Sequence, residues 1–194
     1  VDFDIIEEKN RNRAIGSTAE DVAAKRLKVD IARRMIKGIN PRANVLVRPT
    51  RWQDAIDLTV GCDVVFGCVD TFRERDQLER FCRRFLIPYL DLGMDVRGTP
   101  GHLSVSGQVV LSSPGGPCLR CLGIVTDDRL TLEAERYGSA GSRPQVVWPN
   151  GVLASIAVGL FVQLSRPWHK NPVTSACLEY DGNSHRIGAN RTQF

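Results

Sequence analysis

Apolar positions along the chain follow two periods, and the point where one gives way to the other is the most informative stretch of the sequence. From Val64 to Val69 the chain is a short apolar run, which predicts a buried strand. Leu78, Phe81, Cys82 and Phe85 then recur at intervals of three and four, which predicts an amphipathic helix over 71–86. Asp70 and Thr71 stand at the junction. Both residue types cap helices well. In open α/β sheets, however, the same junction, beyond the carboxyl end of a strand, is where ligands bind. Asp70 therefore reads either as a cap or as a chemical group, and position alone favours the cap.

Upstream, 1–6 alternates polar and apolar residues like the end of a strand. Val22, Leu27, Ile31, Met35 and Ile36 mark a helix to about Lys37. Thr18, with Asp21 three residues on, opens it as a capping-box analogue. Gly38 closes it and Ile39-Asn40-Pro41 turns the chain. A strand is predicted over 43–47, a short helix over 52–58, and another strand over 88–92 with Gly93 beyond it. This β-α-β-α-β alternation predicts an α/β fold with a mainly parallel sheet flanked by helices and joined by right-handed crossovers. After Gly101 the pattern changes to antiparallel C-terminal strands. A strand over 103–112 leads into the turn Pro114-Gly115-Gly116-Pro117, and 176–180 with 185–187 forms a closing hairpin around Asp181-Gly182-Asn183. Helices are predicted over 130–137 and 152–164, the second apolar enough to pack against the sheet.

The 194 residues suit one domain, 1–194, of ordinary size. The 42% hydrophobic and 25% charged fractions are those of a globular chain. The net charge of +4 is spread without a dense basic run. That implies phosphate or carboxylate partners and no nucleic-acid coat. The longest apolar stretch, 151–164, is too short to span a bilayer, so no membrane partner is expected. Six cysteines scattered through predicted strands and helices fit reduced thiols and a cytoplasmic location. The chain opens at Val1, in mid-strand, and reads as N-terminally incomplete.

Several residues could carry chemistry. Asp2 and Asp4 lie at a strand end, where a carboxylate suits a ribose hydroxyl, or is simply a surface group. Arg13 and Lys28 are cations near the same edge. Such cations can converge on phosphates; each alone also reads as a solvated charge. No GxGxxG loop precedes a helix. Cys118 and Cys121 form a CxxC, half of a tetrahedral zinc set. Only Cys177 remains downstream, so zinc is a possible but poorly supplied ligand. A redox role would place the motif at a helix start after a strand, which this context does not offer. His102, His169 and His185 show no metal or nucleophile spacing.

As an ordered series these segments resemble the ThiF/MoeB/HesA family of the ubiquitin-activating superfamily, a group of ATP-dependent adenylyltransferases. Asp2-Phe3-Asp4 followed by Asn10-Arg11-Asn12-Arg13 is similar to the family's DxD…NLNR segment, with Arg11 in place of Leu. Lys28 and then Ile39-Asn40-Pro41 resemble its helix lysine and INP turn. Asp70-Thr71-Phe72-Arg73-Glu74-Arg75 resembles its DNxxxR motif, with Thr71 in place of Asn. Gly107-Gln108-Val109, the CxxC, and Pro149-Asn150-Gly151-Val152 follow in the family's order.

The resemblance implies a Rossmann-like fold, ATP and Mg2+ as cofactors, and residue roles by position. Asp2 would hold the ribose, while Asn10, Arg13 and Lys28 would contact phosphates. Asp70 would position magnesium and be essential for adenylation, with Thr71 and Arg75 as part of the same nucleotide-binding motif. Members activate the C-terminal carboxylate of a ubiquitin-like or sulfur-carrier protein and pair as homodimers. The departures are the family's first strand, glycine-rich loop and first helix, which would precede Val1, and half of the zinc site. No cysteine lies between Cys121 and Cys177, where thioester-forming members carry theirs. An adenylyltransferase is therefore the first expectation and a non-catalytic partner subunit of such a complex the alternative. A nicotinamide-dependent dehydrogenase would need the absent phosphate loop and leaves Asp70 unexplained.

Overall fold

The computed structural model describes residues 1–99, 101–135, 147–166, 170, 173 and 175–190. The chain divides into two compact units, 1–61 and 62–194.

The first unit holds helices α1 (Ala19–Ala23), α2 (Lys28–Ile39) and α3 (Ile56–Thr59), with 3-10 turns at Glu8–Asn10 and Trp52–Asp54. The capping box forms as expected. The Thr18 hydroxyl accepts from the Asp21 N–H at 3.2 Å and the Asp21 carboxylate accepts from the Thr18 N–H at 2.8 Å. The single helix expected up to Lys37 is two helices, because the intervening segment leaves to pair with 4–6. Ile6 N–H donates to the Arg26 carbonyl and Lys28 N–H to the Asp4 carbonyl, both at 2.9 Å, around an Ile5–Leu27 bridge. Lys25 makes the exit with φ of 48°. Gly38, expected to end the helix, lies inside α2, and Asn40 is the C-cap. The strands expected over 1–6 and 43–47 form no ladder among the described residues. A strand needs a neighbour to bond its amides and carbonyls in series; here Asp2 N–H bonds the Arg48 carbonyl, just past the second segment, at 3.2 Å.

Asp21 is the electrostatic centre of this unit. It is 1% exposed and accepts from Arg26 Nε at 2.8 Å and from Arg34 at 2.6 and 2.7 Å. The Arg34 guanidinium holds its carboxyl well below the usual carboxylate range. A depressed folded pKa gives stability that is present above the unfolded value, near 4, and lost as pH falls through the folded one. Asp21→Asn is therefore expected to melt below the parent at neutral pH, with the gap closing as the pH drops below about 4. Thermal melts of both proteins across that range check it; a gap that stays constant in acid would remove the charge from the account.

The second unit is a five-stranded sheet in the order β1 (Val65–Gly67), β2 (Tyr89–Thr99), β3 (His102–Ser112), β4 (Cys177–Asp181), β5 (Arg186–Ala189). Helix α4 (Phe72–Arg84) crosses from β1 to its parallel neighbour β2, and α5 (Asp127–Glu135) and α6 (Val147–Ser165) follow β3. The α/β class and the antiparallel C-terminal strands are as expected. The balance within the sheet is not mainly parallel among the described residues: β1 with β2 is the parallel pairing, and the other three are antiparallel. The difference comes from β2, which continues past Gly93 to Thr99 and doubles back into β3, with Thr99 opposite His102. Gly93 does not end the strand. A Cβ there would stand 2.2 Å from Arg75 Nη2, so glycine is what lets the strand pass beneath that side chain.

Helix α6 lays Leu153, Ala157 and Leu160 on Leu90, Val109, Leu111 and Tyr180, and this is the core. At Gly107 a Cβ would stand 2.6 Å from Leu153 Cδ1, so the strand is bare where the helix presses. The helix has 19 residues, more than expected, and is long and apolar enough to cross a membrane by length and composition alone. One face is packed in the core, while Val158 and Leu164 are exposed. The 130–137 helix is found at Asp127–Glu135, and 136–137 lie outside the described residues. The closing hairpin forms as read, with Asn183 accepting from the Val105 N–H at 2.8 Å and donating to the Leu103 carbonyl at 3.0 Å.

Candidate functional site

The junction between β1 and α4 separates the two readings of Asp70. Thr71 is the N-cap, its hydroxyl accepting from the Glu74 N–H at 3.1 Å. The Phe72 and Arg73 amides donate to the two carboxylate oxygens of Glu133 on α5, at 2.9 and 3.0 Å. Three amides that a helix start leaves unpaired are thereby bonded without Asp70. Asp70 itself is exposed and makes no hydrogen bond or ion pair among the described residues. The cap is Thr71, and the Asp70 carboxylate is left for something else.

Asp70 lines a cleft of about 430 Å³, together with Arg75 from α4, Gly93, Met94 and Asp95 from β2, and Asn150 from α6. Asp95 was not singled out by sequence reasoning, and Asn150 was named only within the Pro149-Asn150-Gly151-Val152 segment, with no site role. Asp95 was missed because the strand was ended at Gly93; the alternation of Met94 and Val96 beyond it is the signal that could have found it. Two carboxylates on one cleft are hard oxygen donors of the kind magnesium takes. Asp95 is also paired to Arg97, while Asp70 has no ion pair among the described residues.

Beneath the cleft lies a buried charge pair. Arg75 is 7% exposed and Asp91 is fully buried. Arg75 Nη2 donates to the Leu92 carbonyl at 2.9 Å, and Nη1 stands 3.6 Å from Asp91 Oδ2. The Tyr89 hydroxyl donates to Asp91 Oδ1 at 3.0 Å. Burial pushes the Asp91 carboxyl up, against the opposing pull of Arg75. Arg75, expected as a cofactor contact, lines the cleft while held by Leu92 and Asp91.

The first unit places its expected site residues as follows. Asp2 Oδ1 accepts from the Asp4 N–H at 2.8 Å, and Lys28 Nζ pairs with Asp4 Oδ2 at 2.6 Å, so Asp2, Asp4 and Lys28 come together. Asn10 Oδ1 accepts from the Glu7 N–H at 3.1 Å, and Arg13 Nη1 donates to the Lys9 carbonyl at 2.8 Å. Lys28, expected as a phosphate contact, already has Asp4 as its counter-charge.

Cys118 and Cys121 carry sulfurs 3.3 Å apart. Hydrogen bonds from Cys118 pull the Cys121 thiol below its ordinary value. Their turn is clamped to α4. Glu79 accepts from the Leu119 N–H at 2.8 Å, Arg83 donates to the Ser112 hydroxyl and to the Ser113 and Gly116 carbonyls, and Arg120 bonds Asp76 at 2.9 Å. Among the described residues no group of three or more His, Cys, Asp and Glu could hold a metal ion, and Cys177 is buried in β4. Two thiols are half of a zinc set, so substoichiometric zinc is expected of this chain by elemental analysis without added metal. One tightly held zinc per chain would show two further ligands outside the described residues.

The chain is similar to several known proteins. The profile of the ThiF family matches residues 1–193. The adenylyltransferase and sulfurtransferase UBA4 of Meyerozyma guilliermondii is 30% identical over 123 residues, which are 62% of this chain and 27% of that protein. UBA4 of Candida glabrata is 29% identical over 143 residues, 71% of this chain and 30% of that one. The crystal structure of Escherichia coli MccB with ATP superposes with a TM-score of 0.73 at 17% identity, covering 97% of this chain and 54% of that one. MccB with MccA-N7isoASN gives a TM-score of 0.75 at 18% identity and 97% and 55% coverage. The chain thus spans about a quarter of the first of these relatives and just over half of MccB.

Proposed function

The chain belongs to the ThiF family, and on that premise we propose that it is an ATP-dependent adenylyltransferase that activates the C-terminal carboxylate of a ubiquitin-like or sulfur-carrier protein. The observation that carries this is Asp70, a carboxylate released from capping duty and lining a cleft at the end of a strand. Nucleotide and carboxylate repel one another as anions, and cations must neutralise both for the α-phosphate to be attacked. Bound ATP supplies the electrophilic phosphorus and pyrophosphate as leaving group. Asp70 and Asp95 would hold the magnesium, and Arg75 would add a fixed positive charge at the floor. Asp2 would take the ribose, and Asn10, Arg13 and Lys28 the phosphates, with Lys28 exchanging Asp4 for them. The test is carrier-dependent exchange of pyrophosphate into ATP, with absence of exchange in the full-length protein refuting it.

A second reading, a non-catalytic partner subunit, is favoured by one observation, the Lys28–Asp4 pair, which leaves that cation already neutralised. It predicts carrier binding without exchange.

We also propose a homodimer. The apolar α6 leaves Trp148, Val158 and Leu164 exposed, and such a face is stabilised by cover. Light scattering is expected to give twice the 21.5 kDa of one chain, and a stable monomer counts against the pairing.

A further inference from the structure

Resting on the adenylation reading, we propose that Asp91 is a positioning residue: from beneath the cleft it fixes the Arg75 guanidinium as the receptor for a substrate oxyanion. Neither the stability of the fold nor the needs of the strand explain a buried carboxyl beside a guanidinium at this place. Asp91 is wholly buried on β2, and a buried ion pair is typically no more stable than apolar residues of the same volume. The pair is also incompletely bonded. Asp91 Oδ2 and Arg75 Nε have no hydrogen-bond partner, although both atoms are buried. Partly satisfied buried charges are costly, and they recur where function needs them.

The backbone is shaped around this cation as well. Gly93 leaves bare the surface on which Arg75 lies; a Cβ would stand 2.2 Å from Nη2 and 2.6 Å from Nη1. Arg75 shares the cleft with two carboxylates, Asp70 and Asp95. An unrestrained arginine would be drawn to either of them and would block a cation there. Asp91 from below and the Leu92 carbonyl beside it hold the guanidinium at the floor, with Phe72 over it at 5.7 Å from the ring centroid. The Tyr89 hydroxyl in turn orients Asp91. A planar guanidinium fixed in this way suits one ligand chemistry, an oxyanion, which in this reaction is either a nucleotide phosphate or the carrier's carboxylate.

The experiment is a double-mutant cycle on the full-length protein, reading pyrophosphate exchange, ATP affinity by calorimetry and melting temperature. Arg75→Lys keeps the charge and loses the fork; it is expected to lower exchange by roughly tenfold to a hundredfold. Asp91→Asn should lose a similar factor, and the double variant should be no worse than Arg75→Lys within about twofold, because both changes remove the same contact. A weakened ATP affinity assigns the phosphate as the ligand. A raised KM for the carrier at unchanged ATP affinity assigns the carboxylate. Should Asp91→Asn melt too low to assay, Tyr89→Phe replaces it: its loss should be severalfold in the parent and vanish in the Arg75→Lys background. Losses that multiply, or an Asp91→Asn (or, in its place, Tyr89→Phe) protein with parental exchange, overturn the positioning role. A parent that neither binds ATP nor exchanges pyrophosphate overturns the adenylation reading, and this proposal with it.

Discussion

Asp70→Asn is expected to lose carrier-dependent exchange of pyrophosphate into ATP by roughly a thousandfold or more, the size of effect that removing a metal-positioning carboxylate from a transition state carries. Its melting temperature should stay within a few degrees of the parent. The two expectations separate because the structure divides the junction's duties. Thr71 caps α4, Glu133 takes the next two amides, and Asp70 contributes to neither. Thr71→Ala is the matched control: it removes a cap, a loss of about 1 kcal/mol, and leaves the carboxylate in place. Lys28→Ala should weaken exchange less than Asp70→Asn, since Arg13 still offers a cation. An Asp70→Asn protein that exchanges at the parental rate would show that this carboxylate is a surface group.

What the sequence made legible here is local, and what it hid depends on partners distant in the chain. The α4 helix, the Thr18–Asp21 box and the Asp181-Gly182-Asn183 turn each rest on side chains within a few residues of one another, and formed as read, while the cap left open between Asp70 and Thr71 fell to Thr71. The long helix over 18–37 broke because Arg26 and Lys28 bond to the 4–6 segment, some twenty residues back. Gly93 looked like a strand end because nothing in its neighbourhood announces Arg75, eighteen positions earlier, lying across it. The same blindness hid half of the candidate site. Asp70 could be found from its junction, but Asp95, Asn150 and Asp91 acquire meaning only when β2 runs on beneath α4 and α6 presses on it.

Glu79→Ala is expected to be among the most destabilising single changes in the second unit. Glu79 is 2% exposed in the middle of α4 and accepts from the N–H of Leu119, which is itself fully buried. Deleting the carboxylate strands that amide, leaves Arg83 without its nearby negative charge, and opens a cavity. Together these cost about 2–4 kcal/mol, or on the order of 10 °C for a unit of this size. Glu79→Gln separates shape from charge, because its amide oxygen can still accept from Leu119. Burial pushes the Glu79 carboxyl above its usual range, against its hydrogen bonds and Arg83. A raised folded pKa gives stability that is present below the unfolded value, about 4.3, and lost as pH rises through the folded one. Relative to the parent, both variants lack the titrating carboxyl and should gain melting temperature as the pH rises through that window, with Glu79→Ala below Glu79→Gln at every pH. Thermal melts of the three proteins from acid to neutral pH decide it. If Glu79→Ala melts within two or three degrees of the parent, the CxxC turn is held by Arg83 and Arg120 alone, and the carboxylate is not part of the clamp.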